Sequence, residues 1–248
     1  MNYVQILKSV SMAVLAGAVS VLGYTECQNQ EKTIISRGGY FMTSPGEFDN
    51  IYQSSFRVDG SLTLEEKCND SSEFFYFGSG VLLRDAQTQD DFILTANHVI
   101  PGSSYLCEED SSERNIKMKG SLSVAGFPAV VVKQDQEADQ ALLKIEGNIT
   151  DTPYLGKVAR NLRPQDYVVG VGFPGGDHLY FFANVTEKKE NLTLLNIKMI
   201  GGSSGGGVFR LSDRGLQLIG TVRGGTAITS LDKLREFFKG TVLEDDYL

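Results

Sequence analysis

Short apolar runs broken by polar turn clusters make up most of this chain, and helix-length periodicity is scarce before residue 230. Residues 74–83 and 92–96 are rich in aromatic and β-branched side chains and flank the polar turn 85–91, which predicts a hairpin. Further strands are predicted at 121–124, 129–133 and 141–145, completing a first set near Gly147. After a connector of about 15 residues, a second set is predicted at 167–172, 178–185, 192–200, 207–210 and 216–222. Only then does the spacing change. Ser230 and Asp232 precede an apolar stripe at Leu231, Leu234, Phe237 and Phe238, which predicts a capped amphipathic helix to about Lys239. Two β-rich halves of similar size joined by a linker suit a pair of barrels.

The ends carry different patterns. Lys8 precedes an apolar stretch from Val10 to Leu22 that contains small residues, the arrangement of a signal peptide. Those 13 residues would reach roughly 20 Å as a helix, short of the ~30 Å hydrocarbon core, so the expectation is export and no stable membrane association. The predicted organisation is therefore a signal peptide at 1–23, an N-terminal arm and first strands at 24–70, a first β-barrel at 71–150, a second at 151–229, and a C-terminal helix with a solvated acidic tail at 230–248. Export would place the protein in an oxidising compartment, secreted or periplasmic. There Cys68 and Cys107, which bracket the segment holding His98, are the expected disulfide, with two unpaired thiols as the alternative and Cys27 left over.

Composition narrows the function classes. With 248 residues, 41% of them apolar, the chain can fill a core, so disorder is not expected. A net charge of -8 offers no obvious basic surface for a phosphate backbone, and nucleic acid is not an expected partner. Two separated histidines and three scattered cysteines make no zinc-ligand pattern, so no metal or other cofactor is expected.

The candidate chemistry is nucleophilic. His98 and His178 are the only histidines. His98 stands where an apolar strand gives way to a turn, a place for an imidazole at a cleft edge, whereas His178 follows Pro174-Gly175-Gly176-Asp177 in what reads as an exposed turn. Gly201-Gly202-Ser203-Ser204-Gly205-Gly206-Gly207 has the composition of a linker, yet Met199-Ile200 and Val208-Phe209 bound it, so it reads as embedded in a core. Glycine there lets backbone N–H groups approach a reacting carbonyl beside a serine hydroxyl. Gly202-x-Ser204-x-Gly206 also fits the nucleophile elbow of α/β-hydrolases, but those place their histidine after the serine, and none follows Ser204. The order histidine, acid, serine is available with His98 and Ser204. Asp139 is the preferred acid, where a loop enters the apolar strand at 141–145, with Asp135 and Glu137 as alternatives. The order Asp139, His178, Ser204 also exists and is disfavoured by the exposed turn around His178.

Several segments together resemble the chymotrypsin-fold serine endopeptidases, in particular their HtrA/Deg-like and glutamyl-endopeptidase-like bacterial branches. Gly78-Ser79-Gly80-Val81-Leu82-Leu83 and Leu94-Thr95-Ala96-Asn97-His98-Val99 are similar to the strand and histidine motifs of that family. Ala138-Asp139-Gln140-Ala141-Leu142-Leu143-Lys144-Ile145 resembles its Asp-Leu-Ala-Leu-Leu-Lys-Ile acid motif, and the serine segment its Gly-Asn-Ser-Gly-Gly-Pro. Ser203 in place of Asn or Asp, Gly207 in place of proline and Gln140 in place of an apolar residue are departures. The resemblance implies an all-β fold of two packed six-stranded antiparallel β-barrels with a C-terminal helix, and a catalytic triad of His98, Asp139 and Ser204.

It also implies peptide-bond hydrolysis through an acyl-enzyme, with an oxyanion hole from the N–H groups of Gly202 and Ser204. The polypeptide substrate would line up along 222–225 and meet a pocket walled by Lys198, Met199, Ile200, Val222, Arg223 and Gly224. Lys198 and Arg223 would favour an acidic side chain; Met199 and Ile200 favour an apolar one. With few residues following the helix, the PDZ module of HtrA proteins is not expected here. The competing expectation is a catalytically inactive protease-fold module that binds peptides or proteins, since fold does not fix function.

Overall fold

The computed structural model describes residues 34–35, 41–42, 45–65, 71–100, 117–147, 149, 153–154, 156–212 and 215–248. The expected signal peptide and Cys27, Cys68 and Cys107 lie outside the described residues. The chain divides into two compact units, residues 1–48 and 49–248. The first contains the short antiparallel pair β1 (Ile34–Ile35) and β2 (Phe41–Met42). Helix α1 (Pro45–Gln53) follows in the chain.

The first barrel is built from β3 (Ser55–Glu65), β4 (Ser71–Arg84), β5 (Asp91–Thr95), β6 (Lys117–Val124), β7 (Phe127–Asp135) and β8 (Gln140–Ile145). Its strands run in the order β3-β4-β5-β8-β7-β6 and close on themselves. The apolar runs read from the sequence explain why. Leu82, Ile93 and Leu143 are successive cross-strand partners, share one face and enter the barrel core with Val58, Val124 and Ile145. Val81, Leu94 and Leu142 share the opposite face and are buried as well. A strand buried on both faces has a continuous hydrophobic run instead of alternation, and β5 is buried along its whole length.

The second barrel consists of β9 (Tyr167–Gly172), β10 (Leu179–Lys188), β11 (Leu192–Leu195), β12 (Gly207–Ser212), β13 (Gly215–Gly224) and β14 (Ala227–Thr229). It closes in the order β10-β11-β14-β13-β12-β9. All ladders of both barrels are antiparallel. The strand predicted at 192–200 stops at Leu195, because the chain turns away once Leu195 N has donated to Thr226 O. Helix α2 (Leu231–Phe238) forms as its stripe predicts, with Leu231, Leu234, Phe237 and Phe238 buried and the Ser230 hydroxyl accepting from Lys233 N.

The acidic end differs from the solvated tail expected of it. Residues Glu244–Tyr247 form a short helix, α3, and Leu243 and Tyr247 are buried. The Tyr247 hydroxyl donates to Tyr154 O at 2.8 Å and accepts from Arg84 N at 3.0 Å, while its ring stacks on Phe238. Burial pushes the Tyr247 phenol up to about 12. Two apolar residues spaced by acids carry this contact, too few to give a periodic signal. Tyr247→Ala is expected to lower the unfolding free energy by about 3–5 kcal/mol. Tyr247→Phe, which strands the Arg84 amide, is expected to cost about 1–3 kcal/mol, both read from urea denaturation midpoints.

Candidate active site

The segment after β5 positions His98. Asn97–Val99 form a single 3-10 turn in which Val99 N donates to Ala96 O and Ile100 N to Asn97 O. Val99 and Ala96 are buried in the barrel core, so the turn is anchored and the side chain between them, His98, stays 39% exposed. Asp139 reaches it from the β7–β8 connection. There Asp135 Oδ1 accepts from Ala138 N and Asp139 N donates to Gln136 O, and the backbone of Asp139 adopts a φ of 53°. Its carboxylate receives His98 Nδ1 at 2.9 Å on Oδ2 and His98 backbone N at 3.0 Å on Oδ1. An ionised carboxylate only accepts, so the contacting Nδ1 carries the hydrogen and Nε2 is left as the basic nitrogen.

The other two acids are committed elsewhere. Asp135 shapes the turn through Ala138 N, and Glu137 is largely exposed, pairing with Lys233 and Asn191. Arg223 Nε lies 3.5 Å from Asp139 Oδ2, and Arg223 Nη1 donates to Asn191 O. Arg223 is thereby tied to Asp139, an engagement that no local sequence pattern signals.

The Gly-rich segment is folded against the first barrel. Ser203 N donates to Ile200 O and Gly206 N to Ser203 O, while Gly205 N donates to Val222 O and Val222 N to Gly206 O. Ser204 O accepts from Ser79 N at 2.7 Å. Gly205 has a φ of 83°, and a Cβ there would sit 2.2 Å from both Ser79 O and Thr95 Oγ1. Only glycine permits that approach, which sets Ser204 against the strand end that leads into His98. The glycine at 207 has a different reason: a Cβ there would lie 2.5 Å from Val81 Cγ2, on the outward face of the first barrel. Close packing between the barrels thus accounts for the departure from proline. Among the described residues, the N–H groups of Gly202 and Ser204 have no hydrogen-bond acceptor, and the Ser204 hydroxyl makes no hydrogen bond to His98. His98 and Asp139 are therefore in direct contact, and Ser204 is held to the same seam by its backbone.

Ser79, quoted in the sequence only as part of a strand motif, supplies much of that hold. Its hydroxyl donates to Gly202 O at 2.7 Å and accepts from Phe173 N at 2.8 Å, and its carbonyl accepts from Thr95 Oγ1 at 2.7 Å. Gly175 N adds a bond to Gly201 O at 2.9 Å.

The expected substrate-contact residues divide. Lys198 and Ile200 are exposed; Met199 is buried, its N donating to Gly225 O at 2.7 Å. Val222 is buried with its N and O both given to the Gly-rich segment, which leaves Arg223 and Gly224 as the half-buried part of that edge. No group of three or more His, Cys, Asp or Glu among the described residues could hold a metal ion.

His178 is not in the exposed turn expected of it. Its ring stacks between Tyr52, at 3.6 Å, and Phe173, at 4.3 Å, and Nε2 has no partner among the described residues. Burial pushes this imidazole down to about 4. The stack props the turn at 173–176 against which the Gly-rich segment rests.

A family model described as "Trypsin-like peptidase domain" matches residues 78–220. The chain is 30% identical over 145 residues to a probable periplasmic serine endoprotease DegP-like of Ectopseudomonas mendocina (strain ymp), covering 54% of this chain and 27% of that protein. It is 28% identical over 144 residues to the protein of the same description from Pseudomonas savastanoi pv. phaseolicola, covering 54% of this chain and 27% of that protein. The chain thus spans about a quarter of the length of the curated relatives it matches.

The stacked histidine has a consequence for stability. Its pKa in the folded protein, about 4, lies below the ordinary 6.5, so the unfolded chain binds its proton first. Its contribution to stability is whole above pH 6.5 and is lost as pH falls toward 4. In a Ser204→Ala background, His178→Phe is expected to reduce the drop in thermal midpoint between pH 7 and pH 4.5, measured by circular dichroism.

Proposed function

The chain belongs to the trypsin-like peptidase domain family, and from that premise we propose that it hydrolyses peptide bonds as an exported serine endopeptidase with His98, Asp139 and Ser204 as its triad. The observation that carries the reading is the double acceptance by Asp139 of His98 Nδ1 and His98 N. That geometry fixes the ring and its tautomer with Nε2 free to take a proton.

In the proposed reaction His98 Nε2 removes the proton of the Ser204 hydroxyl as Oγ attacks the scissile carbonyl carbon. The imidazolium so formed is stabilised by Asp139, which remains ionised. Negative charge gathers on the carbonyl oxygen, where the N–H groups of Gly202 and Ser204 receive it; each donor in such a hole is worth about 3 to 4 kcal/mol of transition-state stabilisation. His98 then gives its proton to the leaving amine, the C–N bond breaks, and an ester of Ser204 remains. Water, deprotonated by the same nitrogen, attacks that ester, releasing the acid product and restoring the hydroxyl.

The substrate is a polypeptide lying along the edge at Arg223 and Gly224. With Arg223 engaged by Asp139 and Asn191 O, Lys198 and Ile200 are the exposed side chains left beside that edge to meet the substrate. Export rests on the signal-like pattern of residues 1–23, and the relatives described as periplasmic support a periplasmic or secreted location.

Purified protein treated with a fluorophosphonate probe is expected to be labelled, with Ser204→Ala and His98→Ala unlabelled. Asp139→Asn, which disturbs the tautomer and leaves the shape, is expected to lower kcat on a peptide substrate by three to four orders of magnitude, about 10³–10⁴-fold. Wild type left unlabelled where a control protease reacts contradicts the reading.

A further inference from the structure

Gln140 breaks an otherwise apolar stretch immediately after the proposed triad acid, and it is wholly buried between Ala138 and Ala141, which are wholly buried too. A buried amide has to place its hydrogen bonds or lose them, and those of Gln140 all run to one place. Its Nε2 faces three acceptors with two hydrogens to share among them, Asp139 O at 3.1 Å, Thr229 Oγ1 at 2.7 Å and Thr221 Oγ1. Thr229 Oγ1 in turn donates to Ala138 O at 3.0 Å. The orientation of the amide follows from these partners. Asp139 O can only accept, and the Thr229 hydrogen is already spent on Ala138 O, so the side facing them must be the donating nitrogen. Oε1 is left buried without a partner.

Thr221 and Thr229 belong to β13 and β14 of the second barrel and are wholly buried. Thr221 immediately precedes Val222, whose N and O bind Gly206 O and Gly205 N directly after Ser204. Gln140 therefore ties the peptide carbonyl of the acid in one barrel to the strand that holds the serine loop in the other. Asp139 needs such a tie. A left-handed φ of 53° at a residue other than glycine is a strained conformation that persists only when its surroundings over-determine it.

We propose that Gln140, with Thr221 and Thr229, is a positioning clip that holds the Asp139 turn in register with the nucleophile segment. The proposal rests on Asp139 being the triad acid. Burying an amide with an unpaired oxygen lowers stability, and an apolar side chain of the same size would avoid that penalty. The polar cluster is thus a device for geometry, maintained against stability.

The test separates those two properties. In Gln140→Met/Thr221→Val/Thr229→Val every member of the cluster becomes apolar at nearly constant volume, so the thermal midpoint is expected at or above that of wild type. The clip is gone, and kcat on a peptide substrate is expected to fall about ten- to a hundredfold through misplacement of the acid, with the rate of fluorophosphonate labelling falling in parallel. KM is expected to stay within about twofold, because the substrate edge is untouched. Thr221→Ser, which retains the hydroxyl, should keep kcat near wild type.

A triple variant as active as wild type overturns the proposal, as does a loss of kcat seen only together with a collapse of the thermal midpoint. If the triple variant does not fold, Thr221→Val alone is read by the same measurements. A wild type that the probe never labels contradicts the serine-protease reading itself, whereas a labelled wild type with an equally labelled triple variant contradicts the clip alone.

Discussion

Ser79 uses its amide and its hydroxyl across the seam between the two barrels and its carbonyl within the first. The amide binds Ser204 O, the carbonyl takes Thr95 Oγ1, and the hydroxyl joins Gly202 O to Phe173 N. Two barrels that each close on themselves have no ladder bonds to share, so their relative register has to come from contacts of this kind. The proposed triad needs that register, because His98 and Asp139 belong to the first barrel and Ser204 to the second. A shift of an ångström at such a seam is enough to remove most of the rate that orientation provides.

The rest of the seam follows from what Ser79 demands. A backbone approaching as closely as Gly205 leaves no room for a side chain, and the outward face of β4 leaves none at Gly207. A run of glycines costs conformational entropy on folding. Here the cost is offset by hydrogen bonds at both ends of the loop and by burial of Val208 and Phe209 directly after it. What looks like a linker in composition is a segment held on both sides. Gln140 and the stacked His178 extend the same hold, one behind Asp139 and one behind the turn at Phe173.

The fold was legible because strands buried on both faces are written as unbroken apolar runs, as in Phe92-Ile93-Leu94. In the candidate site, His98 and Ser204 stood out as candidates because histidine is scarce and because apolar residues bracket the glycines; Asp139 needed family likeness to be preferred to Asp135 and Glu137. Contacts between distant residues left no such trace. Tyr52 and His178 stack although 126 positions separate them, Arg223 turns to Asp139, and Tyr247 closes on Tyr154 and Arg84. None of these has a period or a motif, and each is decided by which side chains the closed barrels bring together. The departures at Gly207 and Gln140 were visible in the sequence, but their meaning lay in the partner barrel.

The central claim, a covalent intermediate on Ser204 formed with the help of His98 and Asp139, is tested most directly by acid-quenching the enzyme during turnover of an activated ester and measuring its mass. The account predicts an increase equal to the acyl group, localised to the peptide containing Ser204 and absent from Ser204→Ala. Turnover without an adduct on that serine, or turnover that survives Ser204→Ala, would contradict it.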